Sequence, residues 1–199
     1  MSADELQQLY TRIDTEATRL SAVHGDRLTC KRGCSMCCVD DITVVQVEAE
    51  NIRTRFGDLL AHGQPHEVGM CAFLDDAGAC RIYSHRPYVC RSQGVPLRWT
   101  DEDEAGDLVE LRDICPLNEA GTPIEALPAE SCWSIGWAET ALAQLQSSLD
   151  GRDDLAFDED FDDEDFDNDD IDAGAQITGA RVALRELFSS ESTSAPGSS

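Results

Sequence analysis

The chain has 199 residues, of which 41% are hydrophobic, so it can fold as one domain with a substantial core. Its 40 acidic and 15 basic residues give a net charge of −25 at pH 7, which argues against the basic surfaces that nucleic acids and anionic membranes require. No apolar run approaches the ~20 residues that cross a bilayer, so we expect neither nucleic acid nor membrane as a partner.

The N-terminus and the cysteine count indicate a reducing compartment. Residues 1–20 contain neither the basic region nor the apolar region of a secretory signal. There are nine cysteines, an odd number, so they cannot all pair within the chain. We therefore expect a cytoplasmic protein, in which clustered cysteines bind metal more often than they form disulfides.

Two helices are predicted in the first part of the chain. Apolar residues at three- and four-residue steps predict an amphipathic helix over residues 2–23, with Ser2 and Glu5 as its capping box. A brief extended segment at 41–45 precedes a second helix that begins near Val45 and ends at Gly57 as its C-cap.

Two hairpins and a third helix are predicted further along. In residues 71–83, CAFLD pairs with ACRIY across a turn, which brings Cys71 and Cys80 toward each other. Pro87 limits residues 84–91 to a short helical turn that carries Cys90. The second hairpin spans residues 95–111 around the acidic loop DEDEAGD, and a helix is expected over residues 130–149.

These elements predict an α+β fold: a small, irregular, cysteine-rich metal-binding domain with N-terminal and C-terminal helices and short hairpins. We expect four parts along the chain. They are the cysteine-cluster domain at 1–149, an acidic low-complexity linker at 150–172, a C-terminal element at 173–188 that docks on the domain, and a disordered tail at 189–199.

The densest chemical signal is the run TCKRGCSMCCVD, which contains Cys30, Cys34, Cys37 and Cys38. Packing alone does not require cysteines at such short intervals. Thiolates held close together bind zinc or iron–sulfur clusters, and the positive charges of Lys31 and Arg32 in the run favour the thiolate form. Because successive side chains diverge, Cys37 and Cys38 are expected to face different centres, or one of them remains a packed thiol.

Two blocks of the sequence resemble a known family. TCKRGCSMCCVD and CAFLDDAGACRIYSHRPYVCRSQG are similar to the YkgJ-type CxxCxxCC cysteine-cluster proteins, a zinc- or iron-chelating family that includes flagellin lysine N-methylase. The resemblance covers about residues 28–118, and GARVALRELF is similar to the family's C-terminal element. The matching positions are Cys30, Cys34, Cys37, Cys38, Cys71, Cys80, Ile82, Tyr83, Arg86, Pro87, Cys90 and Arg91.

The resemblance implies a metal site whose cofactor is an iron–sulfur cluster or zinc. Its implied ligands are Cys30, Cys34, Cys37, Cys38, Cys71, Cys80, Cys90 and Cys115. Eight thiols suffice for two four-thiolate sites, or for one site with four supporting thiols. Thiolate spacing does not distinguish zinc from a [4Fe–4S] cluster.

Three further residues are candidates for contact with the cofactor. Tyr83, Arg86 and Arg91 belong to the segments that carry Cys80 and Cys90, where they can donate hydrogen bonds to sulfur and balance negative charge. The alternative is that the two arginines pair with the abundant carboxylates. Cys132 is expected to be a buried structural thiol. The histidines at 24, 62, 66 and 85 lack the spacing of metal ligands.

Three functional hypotheses follow. The first is a metal-binding protein that acts in redox chemistry or metal handling. The second is a protein-modifying enzyme like the lysine N-methylase of the family, although the chain lacks a Gly-rich strand–turn–helix motif for S-adenosylmethionine. The third is a structural zinc domain that binds a protein partner.

Overall fold

The computed structural model describes residues 3–31, 33–151 and 180–188. It is a mixed fold of helices and short strands, which confirms the predicted α+β class. The helices are α1 (Ala3–Val23), α2 (Gln46–His62), α3 (Tyr88–Arg91) and α4 (Gly136–Leu149). The strands are β1 (Thr43–Val45), β2 (Leu97–Glu102), β3 (Leu108–Asp113), β4 (Trp133–Ser134) and β5 (Arg181–Ala183). Most of the predicted acidic linker, the predicted tail and Ser2 of the capping box lie outside the described residues.

Helix α1 agrees with the predicted helix over the described residues and ends at Val23 as expected, and its apolar face forms one side of the first core cluster. It packs against α3, β4 and α4, and the fully buried Trp133 belongs to the same cluster. In the described parts of the chain, no helix combines the length and the apolar character that crossing a membrane demands.

The predicted end of the second helix is wrong. Helix α2 continues through Gly57 to His62, with only a local distortion at Phe56 (φ −124°, ψ 26°). Leu59 and Leu60 pack against the second core cluster, so the apolar face continues past the glycine. The helix ends where Gly63 donates its N–H to the carbonyl of Leu59 at 2.8 Å.

The predicted start of the last helix is also wrong. Helix α4 begins at Gly136, and the preceding Trp133–Ser134 form strand β4, parallel to β2. The cause is non-local, because the Trp133 N–H donates to the carbonyl of Pro96 at 2.7 Å and joins the edge of β2. The second predicted hairpin is confirmed, as β2 and β3 pair antiparallel and give a sheet of order β3-β2-β4.

The second core cluster lies beneath a separate pair of strands. β5 pairs antiparallel with β1, with Val182 opposite Val44. Leu184 and Leu187 follow β5 in a 3-10 turn and are buried in the cluster that also contains Cys71. Part of the cysteine block is therefore built into this core.

Glu48 joins the first three helices from a buried position, with only 3% of its surface exposed. Its Oε1 accepts a hydrogen bond from the Tyr10 hydroxyl at 2.9 Å and another from the Tyr88 N–H at 2.7 Å. Burial raises the pKa of Glu48, and the two hydrogen bonds and the charges of Arg181 and Arg91 oppose that rise only in part.

Glu48→Gln should change how stability depends on pH. The folded chain retains a proton that unfolded glutamate releases above about pH 4.3, so wild-type stability falls as pH rises toward the raised pKa. Glutamine does not titrate and still offers an acceptor to Tyr10 and Tyr88. We expect wild type to lose stability relative to this variant as the pH rises above about 4.3, measured by urea unfolding at each pH.

Glu50→Gln is the matched control, because Glu50 lies on the same helix but is exposed. Its stability should run parallel to that of wild type across the same pH range. Equal slopes for wild type and Glu48→Gln would contradict the assigned role of burial.

Candidate metal centre

The first cysteine block is a pair of consecutive tight turns. The Cys34 N–H donates to the carbonyl of Lys31 and the Cys38 N–H donates to that of Ser35, both at 2.9 Å. Gly33 has φ +89°, a left-handed conformation that residues with a Cβ rarely adopt. These turns gather four thiols into one short loop.

The hairpin predicted over residues 71–83 is only partly formed. Its single bridge pairs Leu74 with Cys80, and Tyr83 lies in a 3-10 turn instead of a strand. The Asp75 carboxylate accepts the N–H groups of Ala77 and Ala79 at 2.9 and 2.8 Å, which makes the turn tight. Longer pairing fails because the start of this segment bonds elsewhere.

The start of the 71–83 segment bonds to the first cysteine block instead. The Cys71 N–H donates to the carbonyl of Cys38 at 2.9 Å. Cys71 is buried beside Phe73 and Ile82, whereas Cys38 packs at the edge of the same cluster. The two cysteine blocks, separate in sequence, are therefore joined directly by their backbones.

The short helix α3 brings a further thiol to this region. It begins after Pro87, and the Cys90 N–H donates to the Pro87 carbonyl at 3.0 Å. Glu48 accepts the N–H of the first helical residue, Tyr88, and so fixes the helix from beneath. Cys90 is held by the same buried contact that joins α1 and α2.

Electrostatic proximity divides the eight predicted ligands into two sets. The thiol of Cys30 interacts with those of Cys34, Cys115 and Cys37. The thiol of Cys38 interacts most strongly with that of Cys37 and also with Cys71 and Cys90, and Cys90 in turn interacts with Cys71, Cys80 and Cys37. We name the Cys30 set (Cys30, Cys34 and Cys115) and the Cys90 set (Cys38, Cys71, Cys80 and Cys90). Cys37 lies within reach of both.

The thiol pKa values differ across the site. A hydrogen bond with the neighbouring Cys38 thiol lowers the pKa of Cys37 to about 6 and raises that of Cys38. Burial raises the pKa of Cys30, Cys71, Cys80 and Cys90. Cys37 is therefore ionised at neutral pH, which is the form that binds metal.

Sequence reasoning missed Asn118, which anchors Cys30. Asn118 is fully buried, and its Nδ2 donates to the Cys30 sulfur at 3.4 Å and to the Gly94 carbonyl at 2.8 Å. Its Oδ1 accepts the N–H of Thr29 at 2.8 Å, and its own N–H donates to Cys115 at 2.7 Å. The side chain of Asn118 thus contacts Cys30 and its backbone N–H contacts the Cys115 carbonyl, so this one residue joins two members of the Cys30 set. An asparagine three residues after a cysteine carries no sequence signal of this role.

Arg91 and Arg86 make their hydrogen bonds to carbonyls and a carboxylate. Arg91 pairs with Asp14 at 2.5 Å, donates to the Arg86 carbonyl at 2.8 Å and covers the Tyr10 ring at 3.9 Å. Arg86 donates to the Cys90 carbonyl at 3.2 Å. These contacts agree with the alternative that the arginines pair with carboxylates.

The charge of Arg86 nevertheless reaches the thiols. Burial raises the pKa of Cys80, and the positive charges of Arg86 and Arg81 offset part of that rise. Tyr83 is mostly exposed and stacks beneath the guanidinium of Arg86 at 4.2 Å. Arg81 was absent from the predicted set, since nothing in its spacing separates it from a surface arginine.

Cys132 and the histidines have other surroundings. Cys132 is 2% exposed, and the charged groups that act on its thiol are Arg112, Glu110, Arg98 and Arg27.

Two of the histidines also lie in other surroundings. His24 contacts the Ser131 carbonyl at 2.6 Å. The His85 ring lies edge-on to Phe56, and its Nδ1 is buried without a partner among the described residues.

Within residues 3–31, 33–151 and 180–188, no three His, Cys, Asp or Glu side chains are already arranged to hold a metal ion. The fit to a metal therefore depends on the donor chemistry. Eight soft thiols from the cysteine run and four further positions lie in one region, and one of them is ionised at neutral pH.

The comparison with protein families agrees with this donor set. Residues 29–116 match the model of the CxxCxxCC family, described as a "putative zinc- or iron-chelating domain". The match supports metal binding in general. Neither a curated protein nor a solved structure matches the chain significantly.

Gly94→Ala should disturb the Cys30 set. An added Cβ would fall 2.7 Å from the Cys30 sulfur, and the φ of +99° strains any L residue. We expect a loss of stability beyond the ~1–2 kcal/mol of the backbone strain alone, together with weaker zinc binding. Urea unfolding and zinc competition with a chelator measure the two effects.

Gly106→Ala is the control, because Gly106 has φ +83° but open space around the added atom. This variant should lose only the stability that backbone strain removes, and its zinc affinity should be unchanged. Equal zinc affinities for both variants would contradict the importance of Cys30 placement.

Proposed function

We propose that this protein is a metal-binding protein in which eight cysteines form two four-thiolate centres. Cys37 completes the Cys30 set, and the Cys90 set forms the second centre. The observation that carries the proposal is the division of the thiols into these two sets, with the adjacent Cys37 and Cys38 assigned to different ones. The Cys37 and Cys38 thiols also hydrogen-bond to each other, so the two proposed centres adjoin at this pair.

Zinc and an iron–sulfur cluster are the two groups that this donor set fits. Four thiolates around zinc give a closed structural site, whereas four thiolates around a [4Fe–4S] cluster support electron transfer. Both suit a reducing cytoplasm, in which free thiols persist. The protein's role is then metal handling or redox chemistry, according to which group it holds.

Positive side chains have a supporting part in this proposal. Arg86 offsets negative charge at Cys80 and holds the Cys90 carbonyl, and Tyr83 packs beneath its guanidinium. Arg91 fixes α3 from the other side through the Arg86 carbonyl. Such partners orient thiolates and tune the electronic properties of a bound metal.

Anaerobic purification followed by metal and sulfide analysis tests the proposal. A brown protein that dithionite bleaches, with iron and acid-labile sulfide in equal amounts, identifies a cluster. A colourless protein with two zinc ions per chain identifies zinc. A protein that binds neither iron nor zinc while all nine thiols remain reduced would refute the proposal.

Serine variants test the division into two centres. Cys34→Ser should lose the centre of the Cys30 set, and Cys90→Ser should lose the other, so each halves the metal content. Because metal binding contributes to folding, each variant should also unfold more easily. Metal analysis after gel filtration measures the content.

Cys132→Ser is the matched control and should retain the full metal content, since its thiol lies among arginines and a glutamate. Loss of all metal from either Cys34→Ser or Cys90→Ser alone would favour a single shared centre over two.

A further inference from the structure

The guanidinium of Arg185 contacts two separate chain segments beside the thiols. Its Nε pairs with the carboxylate of Asp40. Its terminal nitrogens donate to the carbonyls of His66 at 2.8 Å, Glu67 at 3.1 Å and Met70 at 2.9 Å. The side chain is 24% exposed, so most of it is enclosed by these partners.

Those two segments carry thiols of the Cys90 set. Asp40 follows Cys38 by two residues, and Met70 directly precedes Cys71. The Gly69 N–H donates to Asp40 at 3.0 Å, and the Cys71 N–H donates to Cys38 at 2.9 Å. The guanidinium thus closes a ring of contacts around the junction of the two cysteine blocks.

Residues 180–188 anchor this arginine, and we name them the C-terminal clasp. Its strand β5 pairs with β1, and the Leu184 N–H donates to the Ile42 carbonyl at 3.0 Å. Leu184 and Leu187 are buried in the core cluster that contains Cys71. The clasp therefore contacts the Cys71 region through its core side chains as well as through Arg185.

We infer that Arg185 is a positioning residue for the metal centre of the Cys90 set. By holding Cys38 and Cys71 in place, it makes docking of the C-terminal clasp and metal binding strengthen each other. This inference rests on the proposed function. It adds a residue outside the matched family segment, residues 29–116, as a determinant of that site.

The coupling is reciprocal by thermodynamic necessity. A clasp that favours the binding geometry raises metal affinity, and a bound metal favours the docked clasp by the same factor. Arginine suits the role because its planar fork presents several donors in fixed directions. A lysine could pair with Asp40 but would not reach all three carbonyls at once.

Zinc competition with a chromophoric chelator tests the inference on the full chain. Arg185→Gln should lower the affinity of one of the two zinc sites by about 10- to 100-fold, as loss of a partner that orients a ligand does. Arg185→Lys should fall between this variant and wild type.

Arg181→Gln is the matched control. Arg181 lies in the same C-terminal clasp and carries the same charge, but it is exposed, and its hydrogen bonds among the described residues go to the Thr43 hydroxyl and carbonyl, at 2.9 and 3.0 Å. Its zinc affinities should match those of wild type. Equal losses in both variants, or no loss in Arg185→Gln, would overturn the inference.

Labelling of the metal-free protein keeps the test independent of metal binding. Arg185→Gln should raise the rate at which a thiol reagent labels Cys71 and Cys38, mapped by mass spectrometry, while Cys132 reacts as in wild type. Faster labelling of all three thiols would indicate general destabilisation and would overturn the inference. Failure of wild type to bind metal would refute the proposed function alone, and the labelling result would still decide the role of Arg185.

Discussion

The hydrogen bond from the Cys71 N–H to the Cys38 carbonyl, at 2.9 Å, is the contact on which the site depends. It joins a loop of tight turns to a segment buried in the second core cluster. Without it, the thiols of the first block would belong to a surface loop, and the apolar packing around Phe73 and Ile82 would place only the second block. Because the bond uses backbone atoms, its geometry follows from the turns on either side, which is why glycine at position 33 and the Asp75 turn matter to the metal centre.

A second constraint reaches the thiols from the core. The buried carboxyl of Glu48 joins α1, α2 and the start of α3, which carries Cys90. A buried carboxyl is costly unless it is hydrogen-bonded, so its two partners are held tightly in return. The Cys90 set is thus positioned from both sides, by a polar contact inside the first core cluster and by apolar packing inside the second. Each core cluster therefore supports a different part of the same site.

Local signals in the sequence predicted the parts of the structure that local forces determine. The helical periodicity of α1 and the second hairpin are two examples, and the cysteine spacing agrees with the family match over residues 29–116. The failures are non-local. Helix α4 starts late because Trp133 joins the edge of β2, and Asn118 reaches Cys30 across 88 residues of sequence. Neither contact leaves a periodic or compositional trace in the chain.

The arrangement of positive charge explains how an acidic protein can hold a thiolate centre. A zinc ion with four thiolates carries a net charge of −2, which a chain of net charge −25 should disfavour. The arginines near the site offset this negative charge locally. Arg81 and Arg185 act on Cys71, and Arg86 acts on Cys80, while their donors also satisfy loop carbonyls. Each guanidinium therefore has two effects: it holds the backbone that carries a thiol, and it stabilises the negative charge on that thiol. Replacement of one of these arginines should lower metal affinity by more than the distance between its guanidinium and the sulfur alone suggests.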